Sequence, residues 1–177
     1  MDSYDYQNSL GFIINSSAKM FIKALDSELR KSVGITFSQW KILVMLSIKD
    51  GTTQKEIANG LGLEGATLIP IIDKMEKDGL VVRKVDLADR RNNRIYRTDK
   101  ASELWTAMVD CALKIREISV RDIPSTDVTI MRDSLQKVYK NLETHVNVTG
   151  EPTSATAAPP IIPPNKITST NSTNQEN

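Results

Sequence analysis

Residues 53–98, TQKEIANGLGLEGATLIPIIDKMEKDGLVVRKVDLADRRNNRIYRT, decide the fold of this chain. Thr53 and Glu56 have the spacing of a capping box, in which the hydroxyl accepts a first-turn N–H and the carboxylate reaches back to the cap. A short helix is therefore predicted to begin at residue 54. Gly60 and Gly62 allow a sharp turn after it, and a second helix with an apolar stripe runs up to Gly79.

The rest of the stretch is typical of a β-hairpin. Residues 80–84 and 94–98 are predicted as strands, joined by a loop over residues 85–93. Residues 83–97 contain six basic side chains against two acidic ones, whereas the whole chain has a net charge of only +1. Helix, turn, helix and basic hairpin predict a winged helix-turn-helix, a mainly α fold with a small antiparallel β-wing. So concentrated a charge suits phosphate binding with counterion release.

Long amphipathic helices are predicted on both sides of this unit. Apolar residues recur at three- and four-residue steps over residues 7–33, 100–121 and 125–147, and Thr36 with Gln39 forms a second capping box for a helix over residues 37–49. Pro124 and Ser125 are expected to mark a break and a new N-cap. Three such stripes exceed what the small centre can cover, so we expect helices 7–33, 100–121 and 125–147 to dimerise and residues 36–98 to bind DNA.

The composition limits the domain organisation, the chemistry and the cellular location that the chain can have. Residues 1–148 are predicted as one domain, and residues 149–177, which hold five of the seven prolines among Ser, Thr and Asn, as a disordered tail. The chain has one cysteine and one histidine. No disulfide framework, zinc spacing, metal site, cofactor motif or nucleophile with its base is expected, which argues against an enzyme. Without a signal peptide or membrane span, the cytoplasm is the predicted location.

The winged unit between one N-terminal and two C-terminal helices, with ADRRNNR in the wing and Thr98-Asp99-Lys100 after it, resembles the MarR family of transcription regulators, and most closely its SlyA-like branch. The resemblance covers residues 9–142. It implies a homodimer that binds double-stranded DNA at a pseudo-palindromic operator, with a recognition helix in the major groove and a wing arginine in the minor groove. It also implies a repressor released by a small phenolic or otherwise anionic effector.

The wing tip and the recognition helix supply the candidate DNA contacts. Asp89 is expected to pair with Arg90 or Arg91 and stabilise the wing, while the other arginine enters a narrow minor groove. Which of the two enters is open. The full set of candidate DNA-binding residues is Lys55, Gly65, Ala66, Thr67, Pro70, Lys74, Arg83, Lys84, Arg90, Arg91 and Arg94.

The recognition helix lacks the polar side chains that usually face DNA. Pro70 has no N–H, so the helix is expected to kink or to start late, and Thr67 is the main side-chain donor. Two interpretations stay open. Either the site is read by DNA shape and by contact with thymine methyl groups, or specific binding has been lost. The basic wing favours the first.

Three further side chains attract functional hypotheses. Trp40 would line the effector cleft that the resemblance implies, although a tryptophan on an amphipathic helix is more often part of the core. Cys111 lies on the apolar stripe of its helix and is expected to be core rather than a redox sensor. His145 is expected to be solvated.

Two functions compete for this sequence. The first is a dimeric DNA-binding transcription regulator. The second is a dimeric winged-helix module that binds a protein partner and has weak or no specific DNA binding. Salt-sensitive binding to A·T-rich duplexes separates the two hypotheses.

Overall fold

The structure, a computed structural model, describes residues 5–87, 89–90 and 92–149, with the side chains of 147–149 left out. It confirms a mainly α fold with a small antiparallel wing. No helix in these ranges is long and apolar enough to cross a membrane. The elements in order are α1 (Leu10–Val33), α2 (Phe37–Ile48), β1 (Thr52–Thr53), α3 (Gln54–Leu61), α4 (Gly65–Lys77), β2 (Val81–Val85), β3 (Asn93–Arg97), α5 (Asp99–Ser119) and α6 (Ser125–Thr149).

Local capping sets most helix boundaries. Both predicted capping boxes are present, at Thr36 before α2 and at Thr53 before α3. Gly34 ends α1 with φ 74°, and Gly79 follows α4 with φ 72°, as the predicted helix ends require. The first helix begins at Leu10 and not at the predicted residue 7. Ser9 is its N-cap, because the Ser9 hydroxyl accepts from the Phe12 N–H.

Two other local predictions need correction. Gly60 lies inside α3 rather than in the turn, and a Cβ there would lie 2.5 Å from Cε of Met45, the flexible end of that side chain. The α6 helix already includes Ser125. The first backbone hydrogen bonds of this helix run from the N–H groups of Asp127 and Val128 to the Pro124 carbonyl.

The sheet has a third strand that the sequence does not reveal. β1 pairs antiparallel with β3 through Thr52 opposite Ile95, and β2 pairs with the other side of β3, giving the order β1-β3-β2. β2 and β3 also lie one residue from their predicted bounds. Two residues are too few to show an alternating pattern, so the sequence does not predict this strand.

The core joins the winged unit to the long helices. Leu25 and Leu29 of α1 pack with buried side chains of α2, α3, α4 and α5. Asp26 links α1 to α2, because its carboxylate accepts the Phe37 N–H at 2.7 Å and pairs with Arg30 at 2.6 Å. Lys114 of α5 pairs with Glu28 of α1 at 2.7 Å. The fully buried side chains with the largest volumes are Leu29, Ile42, Leu43, Leu46, Ile57, Leu68, Ile72, Met75, Ile95 and Met108.

The α6 helix and the N-terminal half of α1 leave their apolar stripes exposed in the single chain. Val128, Met131, Leu135 and Tyr139 of α6 line an open apolar groove. Exposed apolar side chains also include Leu10, Ile13, Met20, Phe21 and Ile22 of α1, and Ile130, Leu142 and Val146 of α6. Large contiguous apolar patches are rare on soluble monomers, so these exposed stripes favour an interface with another chain.

Acid should weaken the fold through Glu56, the carboxylate of the second capping box. It accepts from Lys49 Nζ at 2.9 Å and from the Thr53 N–H and hydroxyl, each at 2.8 Å. These hydrogen bonds, the one from Lys49 foremost, lower the pKa of Glu56 from 4.5 to about 2. Because the folded pKa is the lower one, the stabilisation is present above the unfolded value and is lost as the pH falls through the folded value.

The free energy of unfolding, measured with urea at several pH values, should therefore decline between about pH 5 and pH 2. Glu56→Gln, which can still close the capping box, should remove about 1 kcal/mol of that decline, a figure reduced for solvent screening of the exposed ion pair. Glu103→Gln alters an exposed carboxylate on α5 and serves as the control. An equal change in both variants would contradict the role of Glu56.

Candidate nucleic-acid interface

The α4 helix presents one face to the core and the opposite face to solvent. Leu68, Ile72 and Met75 are buried. The residues that alternate with them at three- and four-residue steps are exposed, and they are Ala66, Ile69, Pro70, Asp73, Lys74 and Lys77. The N-terminal half of this outward face is apolar apart from the exposed Thr67 beside it, and the C-terminal half is charged.

A three-residue turn orients α4 against α3. Gly62 takes φ 61°, and the N–H of Leu63 donates to the Ala58 carbonyl at 2.9 Å. The Glu64 carbonyl then accepts from Thr67 and Leu68, which starts the new helix. The helix begins at Gly65, five residues before Pro70, so the expectation of a late start is wrong. Pro70 is exposed and the helix continues past it to Lys77.

The wing is braced from inside by Asp86. This aspartate is 7% exposed, its N–H donates to the Asn92 carbonyl at 3.0 Å, and its carboxylate pairs with Arg94 at 2.8 Å. At the tip, the Asn92 side-chain amide donates to the Asp89 carboxylate at 3.1 Å, and the Asn92 backbone N–H donates to the Asp89 carbonyl at 2.9 Å. The pairing of Asp89 with Arg90 or Arg91 stays a prediction. The bracing leaves Leu87 95% exposed at the tip.

Arg83 and Arg94 are predicted from the sequence to contact phosphates, but the structure engages them within the protein. The Arg83 guanidinium is paired with Asp73 and Glu76 of α4, and the Arg83 backbone N–H donates to the Glu76 carboxylate at 3.1 Å. Arg94 donates to the Gly51 carbonyl at 2.9 Å as well as to Asp86, and the hydrogen bond with Asp86 raises the pKa of Arg94. Arg83 thus joins β2 to α4, and Arg94 joins β3 to Gly51 and Asp86. Their contact with DNA phosphates stays a prediction.

The remaining cationic candidates are exposed. Lys55 lies on the first turn of α3, and Arg90 lies at the wing tip. Lys84 extends over the Tyr96 ring with its Nζ 4.9 Å from the centroid, and Lys74 pairs with Asp78 at 3.1 Å. Arg91 falls outside the described residues, as does the predicted tail from residue 150 onward.

Trp40 belongs to an aromatic cluster that the sequence does not disclose. Its ring lies 5.3 Å from that of Trp105 on α5, tilted by 32°. The Arg97 guanidinium lies 5.9 Å from the Trp105 ring, and its Nε is buried without a hydrogen-bond partner among the described residues. Trp105 could not be found from sequence, because α2 and α5 meet only through the tertiary fold.

The other two singled-out residues take the environments predicted for them. Cys111 is buried, 4% exposed, and packs in the core. His145 is exposed on α6. Within the described ranges, no three His, Cys, Asp or Glu side chains are grouped so that they could hold a metal ion.

Comparisons with known proteins agree with this geometry. A sequence model of the MarR family matches residues 35–92. The HTH-type transcriptional regulator TtmR of Methylorubrum extorquens (strain PA1) is 33% identical over 110 residues, which are 62% of this chain and 55% of TtmR. The matched stretch thus spans about half the length of that relative.

Two solved structures share the fold over most of their length. A MarR-family transcriptional regulator from Rhodococcus sp. RHA1 is 27% identical with a TM-score of 0.68, and the match covers 77% of this chain and 96% of that one. CouR from Rhodococcus jostii RHA1, bound to p-coumaroyl-CoA, is 26% identical with a TM-score of 0.65, and the match covers 77% and 95% of the two chains.

Proposed function

Because the chain belongs to the MarR family of regulators, we propose that it is a dimeric transcription regulator that binds double-stranded DNA in the cytoplasm. The observation that carries the proposal is the pairing of an outward-facing α4 with a rigid, projecting wing. Arg83 ties β2 to α4, and Arg94 ties β3 to Gly51 and Asp86. The helix and the wing are thereby held in one orientation, which suits simultaneous contact with adjacent grooves.

The cations proposed to contact DNA are Lys55, Lys74, Lys84, Arg90 and Arg91. Phosphate contacts fix the position of a protein on the duplex without reading its sequence. The wing-tip arginines, Arg90 and Arg91, would add a contact in the minor groove, because a narrow A·T-rich segment attracts a cation there. The outward side of α4 near Gly65, Ala66, Thr67 and Pro70 would lie against base edges in the major groove.

Dimerisation is proposed through the three long helices. The exposed stripes of α1 and α6 are apolar in the single chain, and a second copy would cover both. We accordingly propose residues 36–98 as the DNA-binding unit and α1, α5 and α6 as the dimerisation part of a domain that ends near residue 148. A two-fold dimer would read a pseudo-palindromic operator.

A small anionic effector is proposed to modulate binding, most simply by relieving repression. The related CouR is bound to p-coumaroyl-CoA in its solved structure. In this chain the Trp40–Trp105 pair, with the Arg97 Nε that has no hydrogen-bond partner among the described residues, offers an aromatic surface and a buried donor. Such a surface suits a phenolic or other aromatic anion. The narrower likeness to the SlyA-like branch stays a prediction.

Salt dependence tests the function. Duplexes are selected from a random library at low salt, and the affinity of the selected duplex is measured by fluorescence anisotropy between about 50 and 200 mM salt. We expect the log of affinity to fall linearly with the log of salt concentration, by about 0.9 for each phosphate contact. Failure to bind any duplex at any ionic strength would instead support the protein-interaction module.

A further inference from the structure

The N-terminal half of the outward α4 face lacks the groups that usually identify bases. Ala66, Ile69 and Pro70 are all exposed there, Ile69 at 49%. Bidentate base contacts need the forked side chains of Arg, Asn or Gln, or the charge of Lys. Of the side chains described on this half of the face, the Thr67 hydroxyl is the one hydrogen-bonding group.

The charged half of the same face cannot make up for this deficit. Asp73 is paired with Arg83, and Lys74 with Asp78. Asp73 and Lys74 lie about one turn beyond Ile69 on α4. In a helix that enters the groove by its N-terminal end, as in helix-turn-helix proteins, such residues lie nearer the backbone than the base edges.

Methyl groups are the one apolar feature that the major groove offers. The C5-methyl of thymine projects into it, whereas adenine, guanine and cytosine present only donors and acceptors. Lys74 lies about one turn beyond Ile69 on the same face of α4, and Lys55 is exposed on the first turn of α3. Exposed cationic side chains favour a polyanionic occupant over an apolar protein surface. Charge complementarity and an apolar centre together select a duplex that carries methyl groups.

We propose that α4 reads thymine through its C5-methyl group, with Ile69 as the principal contact and Ala66 and Pro70 beside it. The proposal rests on the proposed DNA-binding function and adds the feature that each half-site must contain. Recognition of this kind depends on the methyl group alone. A uracil base, which keeps every donor and acceptor of thymine, should be bound less well, and 5-methylcytosine should be bound better than cytosine.

The test starts from the duplex selected from a random library with the full-length protein. Each thymine in the selected half-site is replaced in turn by uracil, and affinities are measured at one salt concentration. We expect about a fourfold loss for each contacted methyl group, the ratio that corresponds to about 0.8 kcal/mol for a buried methylene-sized group. Where a contacted thymine is changed to cytosine, 5-methylation of that cytosine should restore about the same factor.

Variants separate methyl contact from altered DNA shape. Ile69→Ala changes an exposed side chain, so the fold should persist, and the thymine-to-uracil affinity ratio should fall towards one. A ratio caused by DNA shape would persist in this variant. The matched control is Lys74→Ala on the same face, which should weaken both duplexes equally and leave the ratio unchanged.

The outcomes are distinct from failure of the proposed function. Selected half-sites without thymine, equal affinity for thymine and uracil duplexes, or an unchanged ratio in Ile69→Ala would each overturn the methyl readout while DNA binding stands. Absence of salt-sensitive binding to every duplex would overturn the proposed function itself.

Discussion

Leu135→Asp on α6 is expected to yield a folded monomer that no longer binds DNA specifically. Leu135 is 40% exposed in the single chain and lines the apolar groove with Val128, Met131 and Tyr139. Because α6 carries this side chain outside the core, the substitution should spare the fold of the monomer. In a two-fold interface every residue occurs twice, so two unpaired carboxylates would be buried at once.

The expected reduction in affinity is large because each monomer retains only one half-site. Specific binding exceeds non-specific binding by about 10³-fold at the low end, and we expect at least that reduction for the selected duplex. Sedimentation equilibrium gives the oligomeric state, and mobility shift gives the affinity. Thr144→Asp places the same charge on the opposite side of α6 and should leave both unchanged. A Leu135→Asp protein that stays dimeric would contradict the assignment of α6 to the interface.

Replacing Arg90 and Arg91 together with Ala should weaken binding to all duplexes. A hydrogen bond to a charged group contributes about 1.5 kcal/mol, so each wing should contribute about tenfold or more, and a dimer about hundredfold. The slope of log affinity against log salt should flatten by about 0.9 for each phosphate that the variant leaves without a cationic partner. The weakening should be greatest on sites flanked by narrow A-tracts.

The control for charge alone is Lys137→Ala with Lys140→Ala. These lysines lie on the side of α6 away from its apolar stripe, and the double change removes the same charge. The control should alter the salt slope little, because neither lysine is proposed to touch the duplex. Equal effects in the two double variants would show that the wing acts only through net charge.

The features that could be predicted from the sequence depend on interactions between residues close together in the chain. The two capping boxes, the left-handed glycines Gly34 and Gly79 and the basic hairpin each depend on residues within a few positions of one another. Interactions of that range are encoded in a short stretch and survive in any tertiary context. The amphipathic stripes likewise predicted the helices and the surplus apolar surface of α1 and α6.

The roles of the wing arginines could not be assigned in the same way. Six basic residues look alike in the sequence, yet Arg83 pairs across ten residues with Asp73, and Arg94 reaches the Gly51 carbonyl across 43. Trp40 meets Trp105 only because α2 packs near α5. Partners so distant in the chain are chosen by packing, which no local pattern reports.

By itself, the sequence determined the winged helix-turn-helix, its flanking helices and the basic wing, because capping, turn geometry and hydrophobic periodicity act over short distances. Only the tertiary structure decided which basic side chains are paired within the protein and which face of α4 is turned to solvent. Those properties depend on which carboxylates and carbonyls the folded chain brings beside each arginine, and on which side of each helix the core covers.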